Sequence, residues 1–406
     1  MSQSGESSAP FVSEFAGWVT LGAAVGAVCG VASALFLWGL EEVTELRTEH
    51  RSLVFALPLA GVLIGLFYER FGRPIEAGSN LIIDTIHDDG PEIPLRMAPM
   101  VLAGTLLTHL FGGSAGREGT AVQMGASLAD TLAHRLRLPL GLRRKLLTAG
   151  VAGGFGSVFG TPVAGMIFGL EFVVLGRLEY GALVPALVAS LVGDYTTRAL
   201  GIEHTPYPQV AALPLSPSVL LKWFAFALCC ALLAAAFIEL THALKRQATR
   251  FIPRLPWRMA LGGTVVVLMW LATSDDYLGL GVPTILRAFS DPSLPAAEAP
   301  LKLVFTAVTL GAGFLGGEVT PLFFVGATLG NLLGRVLGLP LELAAGVGLS
   351  AVFAGAAKAP LALSVMALEL LGANVFPHAV LVCVLTYFFS GRRSIYAAKL
   401  KPGRVT

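Results

Sequence analysis

Residues 112–120 read Gly-Gly-Ser-Ala-Gly-Arg-Glu-Gly-Thr, which places an acid and a base between glycines in an otherwise apolar region. An ionised side chain at a bilayer centre costs about 2.5–3.5 kcal/mol on insertion scales, so such residues usually pair, line a water-filled path or carry protons. The apolar run from Thr120 to Ala133 predicts a helix that begins beside them. A helix N-terminus offers free N–H donors, and glycine lets a ligand approach the backbone closely. The stretch therefore predicts an anion site around Glu118.

The composition indicates an all-α polytopic membrane protein. Of the 406 residues, 55% are hydrophobic and 13% are charged, and the mean hydropathy is +0.74. Several apolar runs are shorter than the roughly 20 residues of a full span and are interrupted by Gly or Pro, as in discontinuous helices. The candidate spans are 15–40, 53–68, 97–116, 146–170, 181–192, 219–238, 259–273, 303–317, 319–334, 343–357 and 370–390.

The distribution of charge predicts the orientation in the membrane. The net charge of +2 is ordinary for a membrane protein and gives no indication of nucleic-acid binding. Basic residues cluster in 135–145, in 245–258 and after Gly391, whereas the loops 201–217 and 273–300 are poor in base. The basic segments and both termini should face the cytoplasm across the inner (plasma) membrane. The four cysteines all lie in apolar runs, so no metal site or disulfide is expected.

The chain repeats itself at a spacing of about 200 residues. Glu118-Gly-Thr matches Glu318-Val-Thr at an offset of 318 − 118 = 200, and Gly78 matches Gly281 at 281 − 78 = 203. The segment 162–171 matches 360–369 at 360 − 162 = 198, and each segment runs from proline to glutamate. The helix after Glu118 leads into a strongly basic loop and its partner does not, so the repeats should have inverted topology. Inverted repeats place a substrate site between them, near the midplane.

These landmarks divide the chain into five parts. We expect an N-terminal cytoplasmic tail at 1–14 and a first membrane repeat at 15–200. An external linker at 201–217 leads to a second membrane repeat at 218–391. The end of the C-terminal helix and a basic cytoplasmic tail should occupy 392–406.

Four segments together resemble the anion-site segments of the CLC superfamily of chloride channels and proton-coupled anion antiporters. They are Gly78-Ser79 with the helix that follows, Gly116-Arg-Glu-Gly119, Gly316-Gly-Glu-Val-Thr-Pro321 and Ser394-Ile-Tyr396. The resemblance implies two inverted repeats of tilted and discontinuous helices. It also implies a homodimer in which each subunit has its own anion path, with 162–200 and 361–389 at the contact. Glu118 would be the gating glutamate and Tyr396 the central tyrosine.

Departures from the chloride pattern resemble the fluoride/proton antiporter branch. Thr120 replaces the usual proline after Gly-Arg-Glu-Gly, and Glu318-Val319-Thr320 replaces an apolar segment. Phe172 stands where chloride antiporters carry the inner proton-relay acid, and Asn80 stands in place of a glycine. Ser79, in contrast, is the residue that chloride members use.

The sequence thus predicts two proton-linked carboxylates, Glu118 and Glu318. The residues predicted to bind the anion are Ser79, Asn80, Gly119, Thr120, Val319, Thr320 and Tyr396. Simpler roles remain open for both carboxylates: Glu118 could form only an ion pair with Arg117, and Glu318 could be a fixed helix N-cap acid.

Some other buried polar residues favour structural roles. Glu171 and Glu369 end paired helices, which favours capping or pairing over proton transport. His109 and His378 lie in apolar runs and are expected to be core histidines with satisfied hydrogen bonds.

The predicted function is secondary active export of fluoride in exchange for protons. The alternative is a chloride/proton antiporter or a chloride channel of the same fold. An intramembrane enzyme is not supported, because no His-Glu-x-x-His, paired-Asp or Gly-x-Ser-x-Gly arrangement with a suitable partner is present. The expected partners are fluoride (with chloride as the alternative), protons, membrane lipid and a second copy of the chain, with no cofactor.

Overall fold

The computed structural model describes residues 9–88, 92–173 and 178–400, and within these ranges the chain is helical without a β-strand. Residues 1–8 and 401–406, at the outer ends of the two predicted tails, lie outside the described residues. The α-helices are α1 (Ala9–Glu49), α2 (Leu57–Phe71), α3 (Ser79–Asp88), α4 (Met97–Leu110), α5 (Glu118–Arg135), α6 (Leu140–Phe159), α7 (Pro162–Val173), α8 (Leu183–Ala199), α9 (Pro217–Phe251), α10 (Leu255–Leu271), α11 (Val282–Arg287), α12 (Glu298–Ala312), α13 (Val319–Leu337), α14 (Leu341–Ala357), α15 (Pro360–Leu371) and α16 (Phe376–Phe389). Short 3-10 helices cover Arg51–Ala56, Arg73–Ile75, Tyr180–Ala182, Asp275–Tyr277, Ala373–Val375 and Ala397–Leu400.

Few of these helices are full membrane spans. Within the described ranges, the segments long and apolar enough to cross a bilayer are Glu14–Glu49, Arg51–Phe71, Pro217–Phe251 and Val319–Leu337. Six further apolar helical segments have only 10–17 residues. Such short helices leave backbone groups within the membrane, which is tolerated where the protein itself surrounds them or where they line a cavity. The predicted discontinuous helices are therefore present.

The helices α1–α8 correspond in order to α9–α16. Each half opens with its longest helix, of 41 residues in α1 and 35 in α9, and both α7 and α15 have 12 residues. At the centre, Gly116 and Gly317 form an isolated antiparallel bridge, with N···O distances of 2.6 and 2.8 Å. The two central loops therefore run antiparallel where they meet, as expected for inverted repeats.

Two predicted spans each run across a break between two α-helices. The run 146–170 is divided between α6 and α7, and the run 370–390 begins inside α15 although most of it is α16. Gly160 has φ +73° and ends α6 in the left-handed region, and Gly372 with φ +89° ends α15. The apolar composition continues through both breaks, so hydropathy alone joins the helices.

Glycines allow the same close crossing in both repeats. A Cβ at Gly125 would lie 2.3 Å from the carbonyl oxygen of Gly150, which joins α5 to α6. A Cβ at Gly326 would lie 2.2 Å from the carbonyl oxygen of Gly348, which joins α13 to α14. The helices after the two central loops are thus held against their neighbours by backbone contact.

The two repeats also cap each other's helices. Glu171 near the end of α7 accepts hydrogen bonds from the backbone N–H groups of Leu361 (3.2 Å) and Ala362 (2.8 Å) at the start of α15. Glu369 on α15 accepts from Val163 (3.0 Å) and Ala164 (2.8 Å) at the start of α7. This geometry agrees with the predicted structural role of both glutamates.

Candidate functional site

The candidate site forms where the starts of α5 and α13 meet beside the Gly116–Gly317 bridge. Glu118 is the first residue of α5, and Glu318 is the residue immediately before α13. A Cβ on Gly317 would lie only 2.7 Å from the backbone nitrogen of Gly119, so the two helix starts touch through their glycines. The free N–H groups of both helices therefore converge on one region.

The Glu118 carboxylate occupies the N-terminal end of α13, a helix of the other repeat. Its Oε1 accepts from the Thr320 hydroxyl at 2.5 Å, and its Oε2 accepts from the Thr320 backbone N–H at 3.1 Å. Oε2 also accepts from the Arg117 backbone N–H at 3.1 Å. The side chain is only 1% exposed. A negatively charged group is thus seated where helix N–H groups and a hydroxyl would hold a free anion.

The ion pair with Arg117 does not by itself explain this position. The Arg117 Nε atom lies 3.5 Å from Glu118 Oε1 and makes no hydrogen bond. The hydrogen bonds of the carboxylate go instead to Thr320 and to the Arg117 backbone. The guanidinium adds a nearby positive charge, while the donors at the start of α13 fix the geometry.

Glu318 occupies the N-cap position of α13, but its side chain makes no capping hydrogen bond. The carboxylate is half-buried and lines a cavity of about 230 Å³. A fixed cap acid would accept from the N–H groups of the first turn. Glu318 therefore stands at the N-cap position of α13, but its carboxylate does not accept the hydrogen bonds that a capping side chain would make.

The cavity gathers five of the predicted site residues. They are Ser79, Asn80, Thr120, Glu318 and Tyr396. The remaining four lie at the helix starts outside the cavity lining: Glu118 and Thr320 bond to each other, and Gly119 and Val319 contribute buried backbone. All nine predicted residues thus lie either at the starts of α5 and α13 or in the cavity next to them.

The polar side chains of the cavity are partly engaged by one another. The Thr120 hydroxyl lies 2.7 Å from that of Thr105, and Ser79 Oγ accepts from Gln123 Nε2 at 3.4 Å. Asn80 Oδ1 accepts from the Ala398 backbone N–H at 2.8 Å. Since a backbone N–H can only donate, this bond fixes the amide oxygen. The NH₂ group of Asn80 then keeps both donors, and no described residue accepts from it.

Tyr396 reaches the cavity from the segment after α16. Its side chain is 4% exposed, and its ring meets the ring of Phe172 edge to face, with centroids 5.0 Å apart. The Asn80–Ala398 bond ties this segment to α3. Phe172 is fully buried. It stands at the position where chloride antiporters carry the inner proton-relay acid, and its side chain packs there without a protonatable group.

Sequence reasoning missed several polar residues that line the cavity, and three of them are informative. Gln123 lies on α5, and His242 and Lys245 lie on α9. The sequence carried a signal only for Gln123, a lone amide in the apolar run that follows the glycine-rich loop. Lys245 was assigned to a basic cytoplasmic loop. Nothing in the sequence connected His242 or Lys245 with α5, which starts more than 120 residues earlier.

The two histidines in the apolar runs are buried core residues, as predicted. The Nδ1 and Nε2 atoms of His109 lie 2.9 and 3.0 Å from the carbonyl oxygens of Thr105 and Ala115, and the single N–H of a neutral ring donates to one of them. His378 accepts from Trp223 Nε1 at 2.9 Å and bonds to the Leu213 carbonyl at 3.0 Å. Among the residues that the structure describes, no three His, Cys, Asp or Glu side chains lie together as a metal site.

The fold defines a membrane-embedded, all-α protein, and its candidate site lies where two inverted repeats meet. A family model described as voltage gated chloride channel matches residues 60–391. The chain therefore belongs to this family, the CLC family, whose members are transporters or channels and not enzymes.

Individual relatives extend over nearly the whole chain. A chloride/fluoride channel protein of Pseudomonas syringae pv. tomato is 46% identical over 389 residues, covering 94% of this chain and 86% of that protein. The crystal structure of a CLC-type fluoride/proton antiporter matches with a TM-score of 0.92 and 35% identity, covering 95% and 98% of the two chains. The structure of a slow cyanobacterial Cl⁻/H⁺ antiporter matches with a TM-score of 0.83, 18% identity and coverage of 94% and 97%. At that identity the last comparison supports the fold alone.

Proposed function

We propose that this protein exports fluoride in exchange for protons. The observation that carries the proposal is the seat of the Glu118 carboxylate on the Thr320 N–H and hydroxyl at the start of α13. An anion that needs the same donors must displace this carboxylate. Protonation weakens its hold, because a neutral carboxyl loses the charge-assisted part of both bonds. Competition for one place thereby couples anion and proton movement.

Glu318 is the second proton-linked group of the proposal. The carboxylate faces the cavity without a capping bond, so it is free to change its protonation state and its conformation. Phe172 leaves no acid at the alternative relay position, so another group must pass the proton toward the cytoplasm. A protonated Glu318 can also donate a hydrogen bond to the anion.

The proposed preference for fluoride rests on the number of donors. Fluoride is small and strongly hydrated, so a site must replace its water with several close N–H and O–H groups. Thr120, Thr320 and Tyr396 offer hydroxyls, and the Asn80 NH₂ group keeps both donors at the cavity. The relatives described as a chloride/fluoride channel and as a fluoride/proton antiporter support the same substrate. Ser79 favours chloride, so we expect a strong preference for fluoride without complete exclusion of chloride.

The proposal includes the setting of the protein. The protein would lie in the plasma membrane with both termini in the cytoplasm, following the basic segments. It would act as a homodimer with 162–200 and 361–389 at the contact. Gly165 and Gly169 in that region lie against α6 and Ser190 of the same chain, so their small size serves contacts within the subunit.

Reconstitution in liposomes tests the function. With purified protein and no initial proton gradient, an inward fluoride gradient should drive protons out and make the lumen alkaline, and an outward gradient should make it acidic. Both changes should be much faster than with chloride. Equal rates with the two anions would favour the chloride/proton antiporter. Anion flux without any proton movement would favour a channel.

A further inference from the structure

A groove of about 260 Å³ lies apart from the transport site, between α1 and α5. Its walls are almost wholly apolar and include Val28, Leu95, Leu128 and Leu132. Val28 and Leu95 are 45% and 43% exposed, so the groove is open at the outer surface of the subunit. In a membrane-embedded protein, an open apolar groove on this surface faces lipid.

One end of the groove carries a positive charge. Arg135, the last residue of α5, lines the groove, is exposed, and makes no ion pair or hydrogen bond with any described residue. Leu128 lies seven residues earlier on the same helix, roughly 10 Å away along its axis. The groove therefore combines a cationic end with an apolar interior that extends about two helical turns along α5.

The segment that follows Arg135 adds further positive charge. The segment after Arg135 contains only basic charges up to Lys145, whose Nζ lies 5.1 Å from the centroid of the Trp18 ring near the start of α1. The nearby acid Asp130 is fully buried and is held by Arg143 at 2.6 Å. Among the described residues no acid forms an ion pair with Arg135, and the basic segment beside it favours an anionic headgroup.

We propose that this groove binds an anionic phospholipid. One acyl chain lies against Val28 and Leu128, and the phosphate accepts hydrogen bonds from the Arg135 guanidinium. The planar fork of arginine matches phosphate oxygens, and the apolar walls match the acyl chain. The site shares no residue with the proposed transport path and does not depend on the identity of the transported anion.

Lipid binding to the full-length protein in detergent tests the charged end. Native mass spectrometry should show one tightly held phosphatidylglycerol per subunit and much weaker binding of phosphatidylcholine with the same acyl chains. Arg135→Gln should weaken phosphatidylglycerol binding roughly fivefold, because one cation near a membrane surface contributes about 1 kcal/mol. Arg137→Gln removes the same charge two residues away, outside the groove lining, and should change the affinity little.

The apolar wall needs its own pair of variants. Val28→Trp should fill the groove and displace the lipid while the charge is kept. Val31→Trp makes the same change on α1 at a position that is 53% exposed and outside the groove lining, and should leave binding intact. Equal binding of the two lipids, equal loss in both arginine variants, or retained lipid in Val28→Trp would overturn the proposal. So would cross-linking of Val28→Cys to a second subunit, because the groove would then be a protein contact.

Discussion

Glu118 and Thr320 are 320 − 118 = 202 positions apart, yet one carboxylate accepts two hydrogen bonds from the single threonine. The sequence predicted that Glu118 would occupy an anion's place at a helix start, because the acid stands among glycines before an apolar run. It could not show that the helix in question is α13 and not the one that Glu118 itself begins. That pairing depends on the close approach of Gly116 and Gly317, which only the folded chain brings together.

Replacing Glu118 by glutamine is the most direct test at this scale. Glu118→Gln should abolish proton-coupled exchange, because an amide neither ionises to compete with the anion nor carries a proton. Proton flux in fluoride-loaded liposomes is the measurement, and Glu203→Gln, which replaces an exposed acid of the 201–217 linker, is the control for loss of one acid. Uphill proton movement by the Glu118 variant would refute the assignment.

Replacement of Glu318 distinguishes a role in transport from a role as a helix cap. Glu318→Gln should slow or stop exchange with little change in melting temperature, because the side chain makes no capping bond to lose. A true N-cap would instead lose about 0.5–2 kcal/mol of stability on replacement. Glu342→Gln, which changes an exposed acid in the first turn of α14, is the matched control. Normal fluoride flux in a destabilised Glu318 variant would restore the cap interpretation.

At the scale of elements, the paired prolines and glutamates of the sequence are the ends of α7 and α15. The regular offset of 198 residues indicated matched helices, and the geometry adds that each helix caps the other. The helix breaks at Gly160 and Gly372 were not predicted, because apolar residues continue on both sides. Apolar composition indicates that a segment is buried. It does not show where a helix ends, because the positive φ that ends it is a local property of the backbone.

Glu171→Ala should therefore destabilise the protein while sparing the mechanism. It removes two hydrogen bonds that the carboxylate accepts from backbone N–H groups at the start of α15, and one charge-assisted bond contributes about 1.5–3 kcal/mol. We expect a clearly lower melting temperature and an unchanged ratio of protons to anions in the protein that remains folded. If the variant kept its stability but lost coupling, Glu171 would be a proton carrier and not a cap.

At the scale of the whole molecule, the segment 201–216 joins the two repeats and makes hydrogen bonds to a helix of each. His204 Nε2 lies 2.9 Å from the Ser157 carbonyl on α6, and the Val210 N–H donates to the Leu371 carbonyl on α15 at 3.0 Å. Its contacts make the connection between the halves part of the packed structure.

Acid should loosen this linker. Burial lowers the pKa of His204 below its ordinary value near 6.5, and the cations of Arg198 and Arg117 act in the same direction. The Ser157 hydrogen bond and Asp194 oppose the shift without reversing it. A lowered pKa means that the folded state favours neutral histidine, so its stabilising contribution is complete above about 6.5 and is lost as the pH falls toward the folded pKa.

Hydrogen exchange of 201–216, corrected for intrinsic rates, should be faster at about pH 5.5 than at about pH 7.5. His204→Gln should reduce that difference, because glutamine does not titrate in this range. An identical pH response in the variant would assign the effect to another group.

The sequence predicted the two repeats from their internal spacing, and it predicted a site between them because inverted repeats place one there. It did not predict the contribution of α9 to the cavity, since His242 and Lys245 belong to no repeated motif. Such contacts between distant helices follow from packing, and a spacing pattern along one chain does not contain them.

The last prediction concerns the proposed dimer. All nine residues of the proposed site come from one chain, so each subunit should transport independently. A linked dimer with one wild-type and one Glu118→Gln subunit should exchange fluoride for protons at roughly half the wild-type rate, with an unchanged coupling ratio. Linked dimers with two wild-type or two variant subunits, and both orders of the mixed pair, are the controls. Complete loss in the mixed dimer would show that the two sites act together, and the site would then have to include the subunit contact.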